Sequence, residues 1–273
     1  MAAWASGSDI WFSAGGKNLE GRCIGPSPER TPTIVMLHEG LGSMRLWRSF
    51  PDDIATATGH GVFVYSRAGY GQSDLVDQPR PLDYMTREAI DALPDVLGAI
   101  GFRRGVLLGH SDGASIAAIY AGSVQDHRIR GLILLAPHFF TEPEGLLSIA
   151  EAKVAYETGD LCRRMANHHR DPDVAFRGWN NAWLAEGFRG WNIEECIDYI
   201  RVPVLAIQGR QDQYGTAAQV DALEQRLYAP LDVVLLENCR HSPFLDQPQR
   251  TLEAVADFVA RLDRIEAAQL EMA

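Results

Sequence analysis

The sequence predicts an α/β fold in which helices cover both faces of a mostly parallel, doubly wound sheet. Short apolar runs rich in Val, Ile and Leu recur along the chain, and runs of this kind are typical of strands buried on both faces. Segments with helical periodicity separate these runs, and an alternation of strand and helix indicates the α/β class. The runs lie at 33–37, 61–65, 105–108, 131–135, 202–207 and 231–236.

The elements near the two ends of the chain complete this prediction. Runs at 10–14 and 19–24 surround a glycine pair and predict an antiparallel hairpin, which brings the sheet to about eight strands. Apolar residues recur at helical spacing over 90–100, where Pro94 should kink or shorten the helix. The same spacing over 252–262 predicts a C-terminal helix.

The stretch 138–200 interrupts the alternation, because it holds no strand-like run and its periodicity predicts helices. These helices are expected around 145–158, 159–169 and 172–186. We therefore expect residues 1–137 and 201–273 to form one core, with 138–200 inserted between two strands as a helical cap, or lid.

The composition excludes several classes of protein. The chain has 273 residues, with 25 Lys and Arg against 36 Asp and Glu, a formal net charge of −11. Because binding of nucleic acid needs clustered basic side chains, we expect no nucleic-acid partner. No stretch approaches the roughly 20 apolar residues that span a bilayer, and residues 1–10 lack the pattern of a secretory signal. The expectation is a cytoplasmic protein without a membrane partner, acting as a monomer or homodimer.

The cysteines give no sign of a metal site or a disulfide framework. Cys23, Cys162, Cys196 and Cys239 are widely separated, with no CxxC pair and no histidine at zinc-finger spacing. We expect free thiols, no metal and no cofactor.

The segment 109–113, Gly-His-Ser-Asp-Gly, matches the pattern G-x-S-x-G. In this pattern the serine stands exposed on a strand-to-helix turn so tight that both flanking positions must be glycine. Here a predicted strand at 105–108 precedes the pattern, and a helix-forming run at 114–120 follows at once. The context favours a nucleophile at Ser111 over an ordinary glycine-rich turn.

A serine hydroxyl is a weak nucleophile at neutral pH and needs a general base. Of the eight histidines, His241 lies in the loop directly after the last predicted strand, where such a base is expected. His110 lies inside the turn and should face away from the serine. The histidines that we interpret as turn, surface or cap residues are His38, His60, His127, His168 and His169.

The base in turn needs an acid to orient it. Asp212 follows the predicted strand 202–207, and the chain order serine, acid, histidine is the one that accompanies this turn. The alternatives are Glu142 and Glu144, just past the preceding strand, and Asp246, which is very close behind the histidine. We predict Asp212 as the acid.

A tetrahedral intermediate also needs backbone N–H groups directed at its oxyanion. The N–H of Asp112 is one candidate, because it begins the helix after the nucleophile and the helix dipole favours negative charge there. The second donor should come from the loop 38–43, which follows the strand 33–37.

Three features together resemble the α/β-hydrolase superfamily. They are the G-x-S-x-G turn at 109–113, the loops near the end of the chain that carry Asp212 and His241, and His38-Glu39-Gly40 after a strand. The sequence is similar to the capped bacterial hydrolases that include 3-oxoadipate enol-lactonases, carboxylesterases and meta-cleavage C–C hydrolases. The segment 66–73 also resembles the D-x-x-G-x-G-x-S loop of this superfamily, with Ser66 in place of the usual acid. The likeness extends over about residues 10–265.

The resemblance implies an α/β-hydrolase fold and assigns the second oxyanion N–H to Gly40. Glu39 departs from the pattern, since glycine is usual at this position. We expect its carboxylate to face solvent or form a structural salt bridge rather than to bind substrate.

A serine nucleophile argues against dehalogenase or epoxide hydrolase chemistry, which uses a carboxylate to attack a saturated carbon. The function predicted is hydrolysis of a small carboxylic ester or lactone through a Ser-His-Asp triad and an acyl-enzyme. The same triad leaves open a C–C hydrolase, a thioesterase or an acyltransferase. An alternative of another class is a ligand receptor that keeps the triad but turns over slowly or once.

The residues expected to line the substrate pocket are Leu41, His138, Phe139, Trp179 and Trp183. Aromatic walls suit a small apolar or aromatic group, although the tryptophans could equally serve only to attach the cap to the core. A basic cluster at 163–170 could recognise a substrate carboxylate. Acidic residues outnumber basic ones in the cap, so we favour a solvated helix face for this cluster.

Overall fold

The structure, a computed structural model, describes residues 4–271, without the side chain of Leu270. Residues 1–3 and 272–273, which belong to the predicted core and include the start of the segment considered for a secretory signal, lie outside this range.

Eight strands of the described chain form one sheet in the order β1-β2-β4-β3-β5-β6-β7-β8. The strands are β1 (Ser8–Ala14), β2 (Lys17–Ile24), β3 (Thr33–Leu37), β4 (Gly61–Tyr65), β5 (Gly105–His110), β6 (Ile129–Leu135), β7 (Val204–Gly209) and β8 (Leu231–Leu236). Strand β2 runs antiparallel to β1 and β4, and the other neighbouring strands are parallel. The mostly parallel sheet with an N-terminal hairpin is therefore confirmed.

The hairpin turns over two residues, with Ala14 paired to Lys17. Gly15 and Gly16 both have positive φ, +57° and +70°, as a type I′ turn requires. Strand β1 begins at Ser8 and β2 begins at Lys17, each two residues earlier than the apolar pattern indicated.

Helices pack against both faces of the sheet. Successive residues of each strand point to opposite faces, so Val35 and Phe63 belong to one buried cluster while Ile34 and Val62 belong to the other. The helices are α1 (Phe50–Thr58), α2 (Tyr84–Arg87), α3 (Leu93–Ala99), α4 (Asp112–Ser123), α5 (Pro143–Thr158), α6 (Leu161–Met165), α7 (Pro172–Leu184), α8 (Ala218–Arg226), α9 (Pro243–Asp246) and α10 (Pro248–Glu271). Short 3₁₀ turns occur at Met44–Trp47, Glu186–Phe188 and Glu194–Tyr199.

The irregularity expected at Pro94 is present. A π-helical turn, Glu88–Ala92, separates α2 from α3, whose first residues are Leu93 and Pro94. Proline has no N–H for the helical hydrogen bond to the preceding turn, and the wider π turn accommodates its ring at the start of a new helical segment.

The segment between β6 and β7 is helical, with α5 and α7 near their predicted positions. The helix predicted at 159–169 is shorter, because α6 ends at Met165. Beyond it His169 accepts a hydrogen bond from the Gly71 N–H (3.1 Å), and the Arg170 N–H donates to the Gly71 carbonyl (2.6 Å). The His169 N–H still bonds the Met165 carbonyl (3.0 Å), so it is at Arg170 that the backbone turns from the helix to the loop after β4. None of the helices described over residues 4–271 is long and apolar enough to cross a membrane.

Candidate active site

Ser111 lies on a sharp turn between β5 and α4, with φ 54° and ψ −120°. The turn excludes side chains on both sides. A Cβ at Gly109 would lie 2.2 Å from the Gly113 carbonyl oxygen, and a Cβ at Gly113 would lie 2.0 Å from the Leu37 carbonyl oxygen. A non-glycine residue with positive φ is strained and is held by its surroundings. The strand, the two glycines and the helix start together push the serine hydroxyl to the carboxyl edge of the sheet.

His241, in the loop between β8 and α9, meets this serine. Its Nε2 lies 2.9 Å from the Ser111 Oγ, which is hydrogen-bond distance for a base that removes the hydroxyl proton. The Tyr214 ring packs edge-on against the imidazole, with 4.8 Å between ring centroids.

Asp212, in the loop after β7, holds the other side of the imidazole. Both carboxylate oxygens lie 2.9 Å from the His241 Nδ1, and they accept hydrogen bonds from the Tyr214 N–H (2.8 Å) and the Gln208 side-chain amide (2.9 Å). Burial raises the pKa of Asp212, but His241 and the Tyr214 N–H outweigh it and lower the pKa from 3.8 to about 2. The carboxylate is therefore charged at neutral pH and stabilises a positive charge on the imidazole.

The alternative acids have other partners. Glu142 accepts hydrogen bonds from Thr216 and from the Gln219 side chain (2.6 Å), and Glu144 is exposed in the first turn of α5. Asp246 accepts from the Arg240 N–H (2.8 Å). Of the four acids considered, Asp212 is the one that the structure brings to His241.

The backbone N–H groups of Gly40 and Asp112 both lie beside Ser111: Gly40 lines the cavity that contains the serine, and Asp112 is the next residue. Neither N–H donates to an acceptor within the described part of the chain. Gly40 also lies against the Trp179 indole, since a Cβ there would be 2.2 Å from its Nε1. Both N–H groups are therefore without an intramolecular acceptor among the described residues.

A buried arginine supports the loop that carries Gly40. The Arg67 guanidinium, 0% exposed, donates from Nη2 to the carbonyl oxygens of His38 (3.2 Å) and Glu39 (3.0 Å). The His38 Nε2 accepts from the Arg67 backbone N–H (3.0 Å). These bonds orient the successive peptides so that the Gly40 N–H is left for the cavity.

The side chain of Asp112 has a role that the sequence analysis did not identify. It is fully buried, and its carboxylate accepts from the Tyr84 hydroxyl at 2.5 Å, while the Trp183 indole N–H donates to the same hydroxyl at 3.0 Å. Arg67 lies 4.0 Å from the carboxylate. The residue after the nucleophile is thereby linked to α7. The acidic residue inside the turn was the available signal, because a charge so close to a buried strand needs a partner.

Ser66, which stands where the resemblance expects an acid, is bound to a carboxylate from another strand. Its hydroxyl donates to Glu20 of β2 (2.7 Å), which also accepts from the Gln72 N–H (2.9 Å). Glu20 is itself buried, 4% exposed. The carboxylate is present in this loop but comes from β2.

Glu39 forms an ion-pair contact, the second of the two placements expected for it. Its Oε2 lies 3.5 Å from the His110 Nδ1, and its side chain is 23% exposed. Burial raises the pKa of Glu39, but the contact with His110 outweighs burial, and the net effect lowers the pKa from 4.5 to about 2. His110 faces away from the serine hydroxyl, as expected, and its Nε2 donates to the backbone carbonyl of His241 at 2.7 Å.

The cavity next to Ser111 has a volume of about 180 Å³. It is lined by Glu39, Gly40, Leu41, Ser111, His138, Ile149, Trp179, Trp183, Tyr214 and His241. Four of the five predicted pocket residues are among these. Phe139 is not, because its ring is 0% exposed and packs in the hydrophobic core, on the opposite side of the chain from His138. Ile149 and Tyr214 were missed, since each reaches the cavity from an element whose direction the sequence does not reveal.

His138 contributes a polar group to this largely aromatic wall. Its ring makes no hydrogen bond to any described residue and lies 5.6 Å from the His241 ring, centroid to centroid. Burial lowers the pKa of His138 to about 3, so the ring is neutral at physiological pH and can both donate and accept.

The basic cluster of the 163–170 segment lies outside this cavity. Arg163 and Arg164 are exposed and contact Asp160 of the same segment, while His169 is 3% exposed and bridges the Gly71 N–H and the Leu41 carbonyl. Within residues 4–271, no group of three His, Cys, Asp or Glu side chains is arranged to hold a metal ion.

Comparison with known proteins places this geometry in a family. A sequence model described as the alpha/beta hydrolase family matches residues 34–254. The chain belongs to this family. A proline iminopeptidase from Lactobacillus delbrueckii subsp. bulgaricus is 30% identical to this hydrolase over 280 residues, covering 89% of the chain and 94% of the relative.

Solved structures share the fold of the hydrolase at lower identity. The enol-lactonase from Burkholderia xenovorans LB400 has a TM-score of 0.71 at 20% identity, covering 92% of this chain and 100% of that one. A thermophilic esterase from Thermogutta terrifontis has a TM-score of 0.71 at 15% identity, with 93% and 99% covered. The predicted superfamily and fold are thus confirmed, and the chain is an enzyme of the hydrolase type.

Proposed function

We propose that this hydrolase cleaves small carboxylic esters or lactones through an acyl-enzyme on Ser111. The observation that carries the proposal is the continuous hydrogen-bonded chain from Asp212 through His241 to Ser111, with 2.9 Å at each contact. A base that is held by a buried carboxylate and touches a serine at the wall of a cavity is the arrangement that activates a hydroxyl for acyl transfer.

In the proposed mechanism, His241 removes the Ser111 proton as Oγ attacks the carbonyl carbon. The N–H groups of Gly40 and Asp112 bind the oxyanion, and Asp212 stabilises the imidazolium. His241 then gives its proton to the alkoxide leaving group, whose bond to the acyl carbon breaks. Water, deprotonated by the same base, attacks the acyl-enzyme and releases the acid and free Ser111.

The size of the cavity supports a small substrate. Its volume of about 180 Å³ lies below the roughly 300–1,000 Å³ that is common for drug-sized ligands. Leu41, Ile149, Trp179 and Trp183 provide apolar surface for a short acyl or alkoxy group.

Charge supports a substrate without a carboxylate. None of the described residues that line the cavity is Lys or Arg. An enol-lactone of a dicarboxylic acid would place its carboxylate in this environment without a partner, at considerable cost. We therefore propose neutral esters and lactones.

His138 supports a polar atom on the substrate. A buried ring without a hydrogen-bond partner is costly unless the ligand supplies one, and a site with such a group discriminates against substrates that lack the matching atom. We expect a hydroxyl, keto or alkoxy oxygen near the reacting carbonyl to bind His138.

We also propose that residues 138–200 act as a cap over this cavity, since Ile149, Trp179 and Trp183 of this segment form its walls. Residues 1–137 and 201–273 would then form the catalytic core. The cap would exclude water while the acyl-enzyme forms.

A second candidate is cleavage of an amide after an N-terminal residue. The full-length similarity to a proline iminopeptidase favours it, and the same triad can acylate from an amide. The C–C hydrolase, thioesterase and acyltransferase reactions would use the same residues, and a ligand receptor would retain them with little turnover.

The test is a steady-state screen with matched substrates. The panel contains p-nitrophenyl acetate and butyrate, a neutral γ-lactone, an acyl thioester, the p-nitrophenyl hemiester of succinate and prolyl p-nitroanilide, each with Ser111→Ala as background. Multiple turnover of the neutral esters or lactone, above the anionic hemiester, supports the proposal. Faster hydrolysis of the prolyl anilide than of the esters and the lactone would favour the peptidase function instead. A single slow turnover of every substrate would favour the ligand receptor.

A further inference from the structure

His110 connects three of the four loops that carry the proposed catalytic groups, all except the loop of Asp212. It is the residue before Ser111, its Nε2 bonds the backbone carbonyl of His241 at 2.7 Å, and its Nδ1 faces Glu39, the residue before Gly40, at 3.5 Å. We propose that His110 is a doubly protonated positioning residue, paired with Glu39, that holds the His241 loop and neutralises the carboxylate beside the oxyanion donors. This inference rests on the proposed function for its kinetic consequence only.

The protonation state follows from the two partners. A carbonyl oxygen only accepts, so the Nε2 of His110 must carry a hydrogen to bond the His241 carbonyl. In a neutral ring the Nδ1 would then present a lone pair to the Glu39 carboxylate. Because carboxylate oxygens have no hydrogen to donate when ionised, that contact would be repulsive. A ring with hydrogens on both nitrogens donates to the His241 carbonyl and turns a positive charge, not a lone pair, towards the Glu39 carboxylate 3.5 Å away, although Nδ1 forms no hydrogen bond among the described residues.

The surroundings make the pair specific to this location. His110 is 1% exposed, and its ring packs edge-on against Trp47 and Phe244, with centroid distances of 6.1 and 5.4 Å. No other ion-pair contact of Glu39 occurs within the described residues. Burial lowers the pKa of His38, which therefore brings no positive charge. The compensation of Glu39 thus depends on His110.

The pair has two consequences for catalysis. The bond to the His241 carbonyl fixes the backbone of the base, so that Nε2 stays in reach of Ser111. The positive ring also cancels a carboxylate that immediately precedes Gly40 in the chain and would otherwise oppose a developing oxyanion. Loss of His110 alone should harm catalysis in two ways, because it frees the His241 loop and leaves the Glu39 charge uncompensated. When Glu39 is replaced as well, only the first of these effects should remain.

The kinetic test is a double-mutant cycle with His110→Gln, Glu39→Gln and the double variant, measured on the best ester of the screen. We expect His110→Gln to lower kcat on the order of 10- to 100-fold with little change in KM, and the double variant to recover part of that loss without reaching the wild-type kcat. Additive losses, or a wild-type kcat in His110→Gln, would contradict the inference.

A matched control is available in the pair His60–Asp263, whose Nε2–Oδ2 distance is 3.0 Å and which lies far along the chain from the site. His60→Gln loses a contact between a buried histidine and a carboxylate that is 44% exposed, so thermal unfolding should shift while kcat stays at the wild-type value. A fall in kcat matching that of His110→Gln would reduce His110 to a general structural role.

A substrate-independent measurement separates this inference from the proposed function. Ring ¹⁵N spectra of the histidine-labelled protein at neutral pH, assigned by the signals lost in His110→Gln, report the protonation of each nitrogen. Two protonated nitrogens for His110, of which Nδ1 loses its proton in Glu39→Gln, support the pair even if no ester is cleaved. An unprotonated Nδ1 in the wild-type protein would overturn it.

Discussion

Replacement of Asp212 by Asn tests how much the buried carboxylate contributes to the base. The interaction with His241 and the local N–H groups lowers the pKa of Asp212 from 3.8 to about 2 despite burial. A difference of nearly two pH units corresponds to about 2 kcal/mol, at about 1.36 kcal/mol per unit. By linkage the part of this interaction that comes from His241 also stabilises the imidazolium. We therefore expect kcat to fall on the order of 10- to 100-fold, and towards 10⁴-fold if Asn also fixes the wrong imidazole tautomer.

The assay is hydrolysis of p-nitrophenyl butyrate, with Ser111→Ala as background and thermal unfolding as the check on folding. The size of the side chain is conserved, so the variant should remain folded. Glu142→Gln is the matched control, because Glu142 bonds Thr216 and Gln219 instead of His241. If Asp212→Asn retained more than roughly a tenth of kcat, or if Glu142→Gln lost as much, the assignment of the acid would be refuted.

The remaining predictions concern the nucleophile, the oxyanion loop, the pocket and acid stability. Ser111→Ala should lower kcat on the order of 10⁴-fold or more, because the triad acts as a unit; turnover near the wild-type rate would contradict its role. Gly40→Ala should lower kcat at least roughly tenfold and change tryptophan fluorescence, since the new Cβ would lie 2.2 Å from Trp179; unchanged kinetics would place the oxyanion elsewhere. His138→Phe should abolish a preference for p-nitrophenyl 3-hydroxybutyrate over the butyrate, measured as the ratio of kcat/KM; an unchanged ratio would remove His138 from recognition. The low pKa of Asp212 contributes folding stability that is complete above pH 3.8 and is lost as pH falls through about 2. The free energy of unfolding of Asp212→Asn should therefore fall less than that of the wild-type protein over this pH range. Identical acid-unfolding curves for the two proteins would argue against this contribution.

Much of the fold was predictable because its strands are buried on both faces. Such strands are almost continuously apolar, as in 34–37 and 105–108, and this leaves a signal in a single sequence. The helix 159–169 was predicted too long for a related reason. Its end depends on bonds between His169 or Arg170 and Gly71, and a distant partner leaves no periodic signal in the segment itself.

The candidate site was predictable where its chemistry imposes a local pattern. The turn at Ser111 admits only glycine at 109 and 113, so the two glycines in the sequence indicate the backbone geometry. Phe139 and His138 show the opposite case. Both follow β6, but one enters the core and the other the cavity, and the direction of each side chain is set by packing against other elements.

The order of strands and helices, the turn at Ser111 and three residues whose types and chain order suit acyl transfer can all be read from the amino-acid sequence. The folded chain was needed to show that Asp112 is bonded to Tyr84 and linked to α7, that Glu39 meets His110, and that a cavity of about 180 Å³ without basic side chains adjoins the serine. The two groups of features differ in the range of the interactions behind them. Backbone strain and apolar burial act on each segment where it stands, whereas buried charges and cavity walls depend on partners that only folding brings within a few ångströms.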